Sequence, residues 1–344
     1  MAALQTCATL LSFVAAPAVA ESSAPPLSAG LAMAGCAAHT VPWPTADPTK
    51  YACQPETHAA GEAYLFLLNN MFPFDRGENQ HSLVDGIFNY TVNKSLTARQ
   101  EFPWAAAVPR ALWETAVLPY ASTNEARSNW RDLLWGTLAP LMKAAPPPTS
   151  ALNATADAAT YLNLNMWSST ALGKFNGKGN KITFHGEMTP RVYDPMSTIL
   201  FGYASCTGVS ILYVDALRTI GIPARVTGTP AWHGGPGGAS GPPQGNHNWV
   251  EVFVGKDFGG KESADGWAFL EALPAGGGES FSNPCDKWFC SSKKGYGNGT
   301  RVFAAVFGPS GAEGQHYPME WEPENKGVPG VERTALYAEM CNKC

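Results

Sequence analysis

The sequence predicts an α+β molecule, a helical subdomain followed by a unit that mixes one long helix with strands. Three observations carry this. Apolar residues recur at helical spacing in "ETHAAGEAYLFLLNNM", "EARSNWRDLLWGTLAPLMKAA" and "ALNATADAATYLNLNMW", residues 56–71, 125–145 and 151–167. A further helical pattern runs from Cys206 to Ile220 and closes on Gly221-Ile222-Pro223. Beyond it, "NHNWVEVFV" (246–254) and "GWAFLEALP" (266–274) alternate with the period of a strand.

Taken in order, the chain opens with an apolar run that ends in Ala18, Val19 and Ala20, the pattern of a secretory leader over residues 1–20. Residues 21–55 are rich in Pro, Ala and Ser without periodicity and read as an extended arm stapled by cysteines. The helical subdomain spans 56–145. In its second helix, introduced by Ser122-Thr123-Asn124, Trp130, Leu133, Leu134, Leu138 and Leu141 share one broad face suited to a core. "AAPPPTS" breaks the chain at 144–150, and the mixed unit follows over 151–308. Within it, residues 232–246 hold too little apolar content to pack and read as a surface loop. Residues 309–344 read as a polar tail with a short helical pattern near its end.

Composition excludes several functions. Charged residues make up 15% of the chain and the net charge is −5. No basic stripe is present to follow a phosphate backbone, so nucleic acid is not an expected partner. No segment after the leader has the roughly 18 apolar residues of a spanning helix, so no stable membrane insertion is expected. The histidines are scattered and no His-Glu-x-x-His occurs, so no metal site is expected. Four Asn-x-Ser/Thr triplets, at Asn89, Asn93, Asn153 and Asn298, agree with a secreted glycoprotein.

The cysteines narrow the chemistry. Cys7 leaves with the leader, and seven remain: Cys36, Cys53, Cys206, Cys285, Cys290, Cys341 and Cys344. An odd number in an oxidising compartment leaves one thiol over. Six lie in flanking segments, where local pairs (Cys36 with Cys53, Cys285 with Cys290, Cys341 with Cys344) are one of the arrangements open to them. Cys206 stands apart, on the first turn of a helix, where Ser205 and Thr207 offer capping hydroxyls and the unpaired amides favour a thiolate. In the first strand His247, Trp249, Glu251 and Phe253 face away from Val250, Val252 and Val254. In the second, Trp267, Phe269 and Glu271 share a side. A cysteine on a helix or a histidine on a strand is usually structural when met alone. Their ordered succession suits a thiol nucleophile, a base and a carboxylate that orients the base.

"GYASCTG", "LYVDALRTIGIPARVTGTP", "NHNWVEVFV" and "GWAFLEALP" together resemble the transglutaminase-like superfamily, over about residues 195–274. The resemblance implies a papain-like core, a cysteine helix packed on an antiparallel sheet. It implies Cys206 as nucleophile, His247 as general base and acid, and no cofactor. Glu271 stands where the family commonly has aspartate, with Glu279 and Asp286 as other carboxylates within reach in sequence. Thr207 replaces the tryptophan of many animal cross-linking members, which moves the likeness toward protease-like and uncharacterised microbial branches. Tyr203 and Trp249 are candidates to line a substrate cleft. The function so implied is acyl transfer on an amide of a protein or peptide, by hydrolysis or by amine transfer. A non-catalytic secreted binding protein that keeps the fold, relying on aromatics such as Trp104 and Trp232, is the alternative.

Overall fold

The structure is a computed structural model, which describes residues 55–77, 83–232, 245–258, 265–276, 281, 299–308 and 315–342. The leader, almost all of the arm, most of the 232–246 loop, Glu279, Asp286, Asn298 and all the cysteines except Cys206 and Cys341 lie outside these residues.

The helical half comprises α1 (Pro55–Asn69), α2 (Phe88–Glu101), the short α3 (Pro103–Ala106) and α4 (Arg110–Ala116), and α5 (Trp130–Lys143). The second predicted helix thus begins five residues later than its periodicity suggested. The Glu125 carboxylate accepts the backbone N–H groups of Ser122 at 2.6 Å and Thr123 at 2.7 Å, closing a turn where a helix start was expected. Two of the triplets fall on α2, where Asn89 is exposed and Ser95 is fully buried.

The mixed half follows: α6 (Ala154–Asn165), β1 (Thr183–Phe184), α7 (Pro195–Phe201), β2 (Tyr203–Ala204), α8 (Cys206–Thr219), β3 (Ala224–Thr229), β4 (His247–Phe253), β5 (Trp267–Leu270), β6 (Phe303–Ala305), β7 (Gly330–Glu332) and α9 (Thr334–Asn342). Five strands form one sheet in the order β5-β4-β3-β6-β7, every neighbouring pair antiparallel. β1 and β2 make a separate parallel pair. The α+β architecture and antiparallel sheet agree with the sequence reading.

One continuous hydrophobic core joins the helical half to α8 and to the valine face of β4. Every residue of α8 is buried, more than the single buried face its periodicity implied. Its far end is a Schellman stop: Gly221 takes φ +81°, its N–H bonds Arg218 O at 3.1 Å, and Ile222 N–H bonds Leu217 O at 2.9 Å. The helical half is fastened there through side chains. Trp104 Nε1–H donates to Ile220 O at 2.8 Å, and Arg131 Nη1 to Arg218 O at 2.9 Å.

The polar tail is corrected by the structure. Residues 315–342 carry β7 into the sheet and α9 against its other face, burying Tyr317 and Tyr337 to 2% and 0% exposure. On that face Trp232, Trp249, Phe269, Val302 and Tyr337 form a second, smaller core. Glu251 ties these pieces together by accepting from Arg225 at 2.6 Å, Arg333 at 3.0 Å and Tyr337 Oη at 3.1 Å.

Candidate active site

The site lies where α8 begins and β4 starts. Cys206 is the first residue of α8, so its thiol sits among amides that no helical carbonyl accepts, at the positive end of the dipole. Ser205 holds the N-cap position, but its side chain makes no cap bond; the hydroxyl pairs with Thr189 instead. The Thr207 hydroxyl likewise faces inward, accepting from Asn248 Nδ2 at 2.7 Å. The two expected capping hydroxyls are therefore both committed elsewhere.

Alternation along β4 puts the valines in the main core and His247 and Trp249 on the opposite side. His247 is 4% exposed and hydrogen-bonds the Cys206 thiol. Its Nε2 lies 2.6 Å from Glu271 Oε1, which leaves Nδ1 to the sulfur. The β4–β5 register pairs Val250 with Leu270, so Glu271, the next residue, arrives beside the start of β4. Its carboxylate is fully buried, and Oε2 has no hydrogen-bond partner among the described residues. Asn163 fixes the turn that follows: its Nδ2 donates to Glu271 O at 2.8 Å and its Oδ1 accepts from Leu273 N–H at 2.9 Å.

Burial pushes the Cys206 thiol up, but the hydrogen bond and charge of His247, the Asn248 backbone N–H and the Thr207 hydroxyl outweigh it and hold the thiol below its ordinary value. Burial pulls the His247 imidazole down, and the bonds to Cys206 and Glu271 with their charges overcome this, raising it to about 10. The two shifts share one cause, a proton held more firmly by the imidazole than by the sulfur.

Cys206 is free, as the odd-cysteine reading expected, and Cys341 is disulfide-bonded. The pairings read from the sequence all involve cysteines outside the described residues.

The two aromatic candidates part ways. Tyr203 is half-buried just ahead of Cys206, its ring 5.0 Å from His185 and 6.2 Å from Phe201. Trp249 is corrected: it is fully buried in the smaller core and donates Nε1–H to Tyr337 Oη at 2.8 Å, so it supports His247 from behind and lines no cleft. Trp232 stacks on the His247 ring at 6.2 Å. Four contributors escaped the sequence reading. Asn246 Oδ1 lies 4.0 Å from the Cys206 sulfur, Asn163 holds the carboxylate's turn, and Asn248 and Tyr317 flank the thiol. Asn248 sits one position from a predicted site residue, on the face assigned to core valines; nothing in residues 309–344 pointed to Tyr317.

A cysteine at a helix start, bonded to a strand histidine that leans on a buried carboxylate, is the arrangement of papain-like thiol proteins. Residues 149–272 match the family model described as the transglutaminase-like superfamily, so the chain carries a transglutaminase-like domain over that span. The superfamily is in general one of cysteine-nucleophile enzymes. The match runs from the approach to α6 through Glu271 and Ala272, taking in all three residues while omitting β6 and β7. No curated protein is a significant match to the chain.

Proposed function

We propose that the protein is a secreted thiol-dependent acyl-transfer enzyme acting on amide bonds of a protein or peptide. The observation that carries this is the buried hydrogen-bonded succession Cys206, His247, Glu271. Its pKa directions favour a thiolate–imidazolium pair at neutral pH. The thiolate attacks the carbonyl carbon, and first-turn amides of α8, that of Cys206 among them, receive the developing oxyanion. Collapse breaks the C–N bond as His247 gives its proton to the departing amine, leaving a thioester on Cys206. Water then yields a peptidase or amidase, and a lysine amine yields a cross-link; in either case His247 takes the incoming proton. Glu271 keeps the imidazole oriented and offsets its charge. Tyr203, ahead of the nucleophile, contacts the substrate.

The leader and the acceptor triplets support a secretory route, in which the cysteines other than Cys206 pair. Among the described residues no helix is long and apolar enough to cross a membrane. The test is turnover of a panel of peptide amides, with and without labelled amines, by the native protein and by Cys206→Ala. Release of ammonia or amine, or label incorporation, that disappears in the variant is expected; activity that survives in Cys206→Ala overturns the reading.

A further inference from the structure

We propose that Tyr317, Asn248 and Thr207 form a one-way chain of hydrogen bonds that ends on the Cys206 sulfur and stabilises its thiolate, all three acting as positioning residues. This rests on the reading that Cys206 reacts as a thiolate. The Tyr317 hydroxyl donates to Asn248 Oδ1, which turns the other end of that amide, Nδ2, toward Thr207 Oγ1 at 2.7 Å. Because Thr207 Oγ1 accepts there, its own proton remains to be given, and the sulfur of Cys206, the residue before it at the start of α8, is the acceptor. Every donor in the chain therefore points the same way, toward the position of negative charge, and each bond polarises the next.

The surroundings fix this geometry. Asn248 and Tyr317 are 4% and 2% exposed, and Thr207 is 1% exposed, so water does not compete for their bonds. The Asn248 carbonyl accepts from Ser210 Oγ at 3.1 Å, one turn along α8, which holds Asn248 against the helix that carries the sulfur. Gly228 faces Asn248 across the β3–β4 pair, and a Cβ there would collide with Asn248 Oδ1 and press on the Tyr317 hydroxyl. Tyr317 is itself anchored by its N–H to Val328 O at 2.8 Å. Residues from three distant parts of the chain thus meet at one sulfur, and the family match does not extend to Tyr317.

The experiment is the pH dependence of Cys206 alkylation by iodoacetamide in the full chain, with the modified residue mapped by peptide mass spectrometry. Thr207→Val, Thr207→Ser and Tyr317→Phe are compared with the native protein, and each is checked for folding by near-ultraviolet circular dichroism. Thr207→Val and Tyr317→Phe are expected to raise the midpoint by about half to one pH unit, the worth of one hydrogen bond. Thr207→Ser, which keeps the hydroxyl, is expected to hold the native midpoint. Unchanged midpoints in Thr207→Val and Tyr317→Phe, or a shift in Thr207→Ser as large as that in Thr207→Val, overturn the proposal while leaving the thiolate reading intact. A native midpoint at the ordinary thiol value overturns both. Should Tyr317→Phe fail to fold, the two Thr207 variants decide the matter.

Discussion

At the scale of single residues, three side chains were legible because each stands in a pattern with a physical meaning. Cys206 opens a helix, His247 opens an alternating strand, and Glu271 closes another. Side chains that depend on tertiary approach were not legible: Tyr317 is brought to Asn248 by a bridge to the 328–330 segment that no local period encodes. Trp249 was misplaced because strand alternation cannot distinguish an open face from one covered by a later helix. If the proposed roles hold, Cys206→Ala and His247→Ala each lower turnover by about 10³-fold or more, read as initial rates on whichever amide the native protein processes. Glu271→Gln removes one of the causes that raise His247 and should move the alkaline limb of the pH–rate profile down from near pH 10. A limb that stays in place would remove Glu271 from that role. The same pair shapes stability. His247, raised from 6.5 to about 10, contributes fully below pH 6.5 and loses this as pH climbs toward 10. Cys206, lowered from 9.0, contributes above pH 9.0 and loses this as pH falls through its folded value. In the part of the range from pH 6.5 to 9.0 that lies above the folded value of Cys206, the two slopes cancel, since folded and unfolded chains there each hold one proton across the pair. Urea unfolding of the native protein minus that of the Cys206→Ala/His247→Ala double variant should be level in this window and shrink as pH rises above 9.0.

At the scale of elements, α8 could be read end to end, from the residue before Cys206 to the glycine stop at Gly221. The stop has a second role. A Cβ on Gly221 would collide with the Ala105 Cβ, in addition to the cost of φ +81° for an L side chain. Gly221→Ala is therefore expected to lower the unfolding free energy by about 2–3 kcal/mol, measured by urea titration. β3 alternates Ala224, Val226 and Gly228 with Arg225, Thr227 and Thr229, yet both of its faces are buried, so the polar side chains lie inside the fold and not in solvent. Arg225 is tolerated there because Glu251 accepts both its Nε and Nη2. β1 and β2, two residues each, are too short for any period to register.

At the scale of the whole molecule, the predicted helical half and mixed half share one core, and the buried guanidinium of Arg131 is part of the seam. Desolvation lowers it to about 9, and the carbonyls of Val117, Pro119 and Arg218 receive its N–H groups. The C-terminal segment forms another seam, visible only in three dimensions because its composition is polar while its few aromatics are the ones that pack. Tyr337→Phe deletes a hydroxyl that accepts from Trp249 and donates to Glu251. It should cost about 1–3 kcal/mol, seen as a lower thermal midpoint with the Cys206 alkylation midpoint retained.

Glu251 binds β4 to a helix made of the last residues described, and Tyr317 comes from the same stretch. A chain growing on the ribosome therefore carries Cys206, His247 and Glu271 for some time before residues 315–342 are there to pack around them. The sulfur acquires its full set of neighbours only once residues 315–342 have been made, so on the proposed reading the order of synthesis holds back full activation of the thiol until that stretch has emerged.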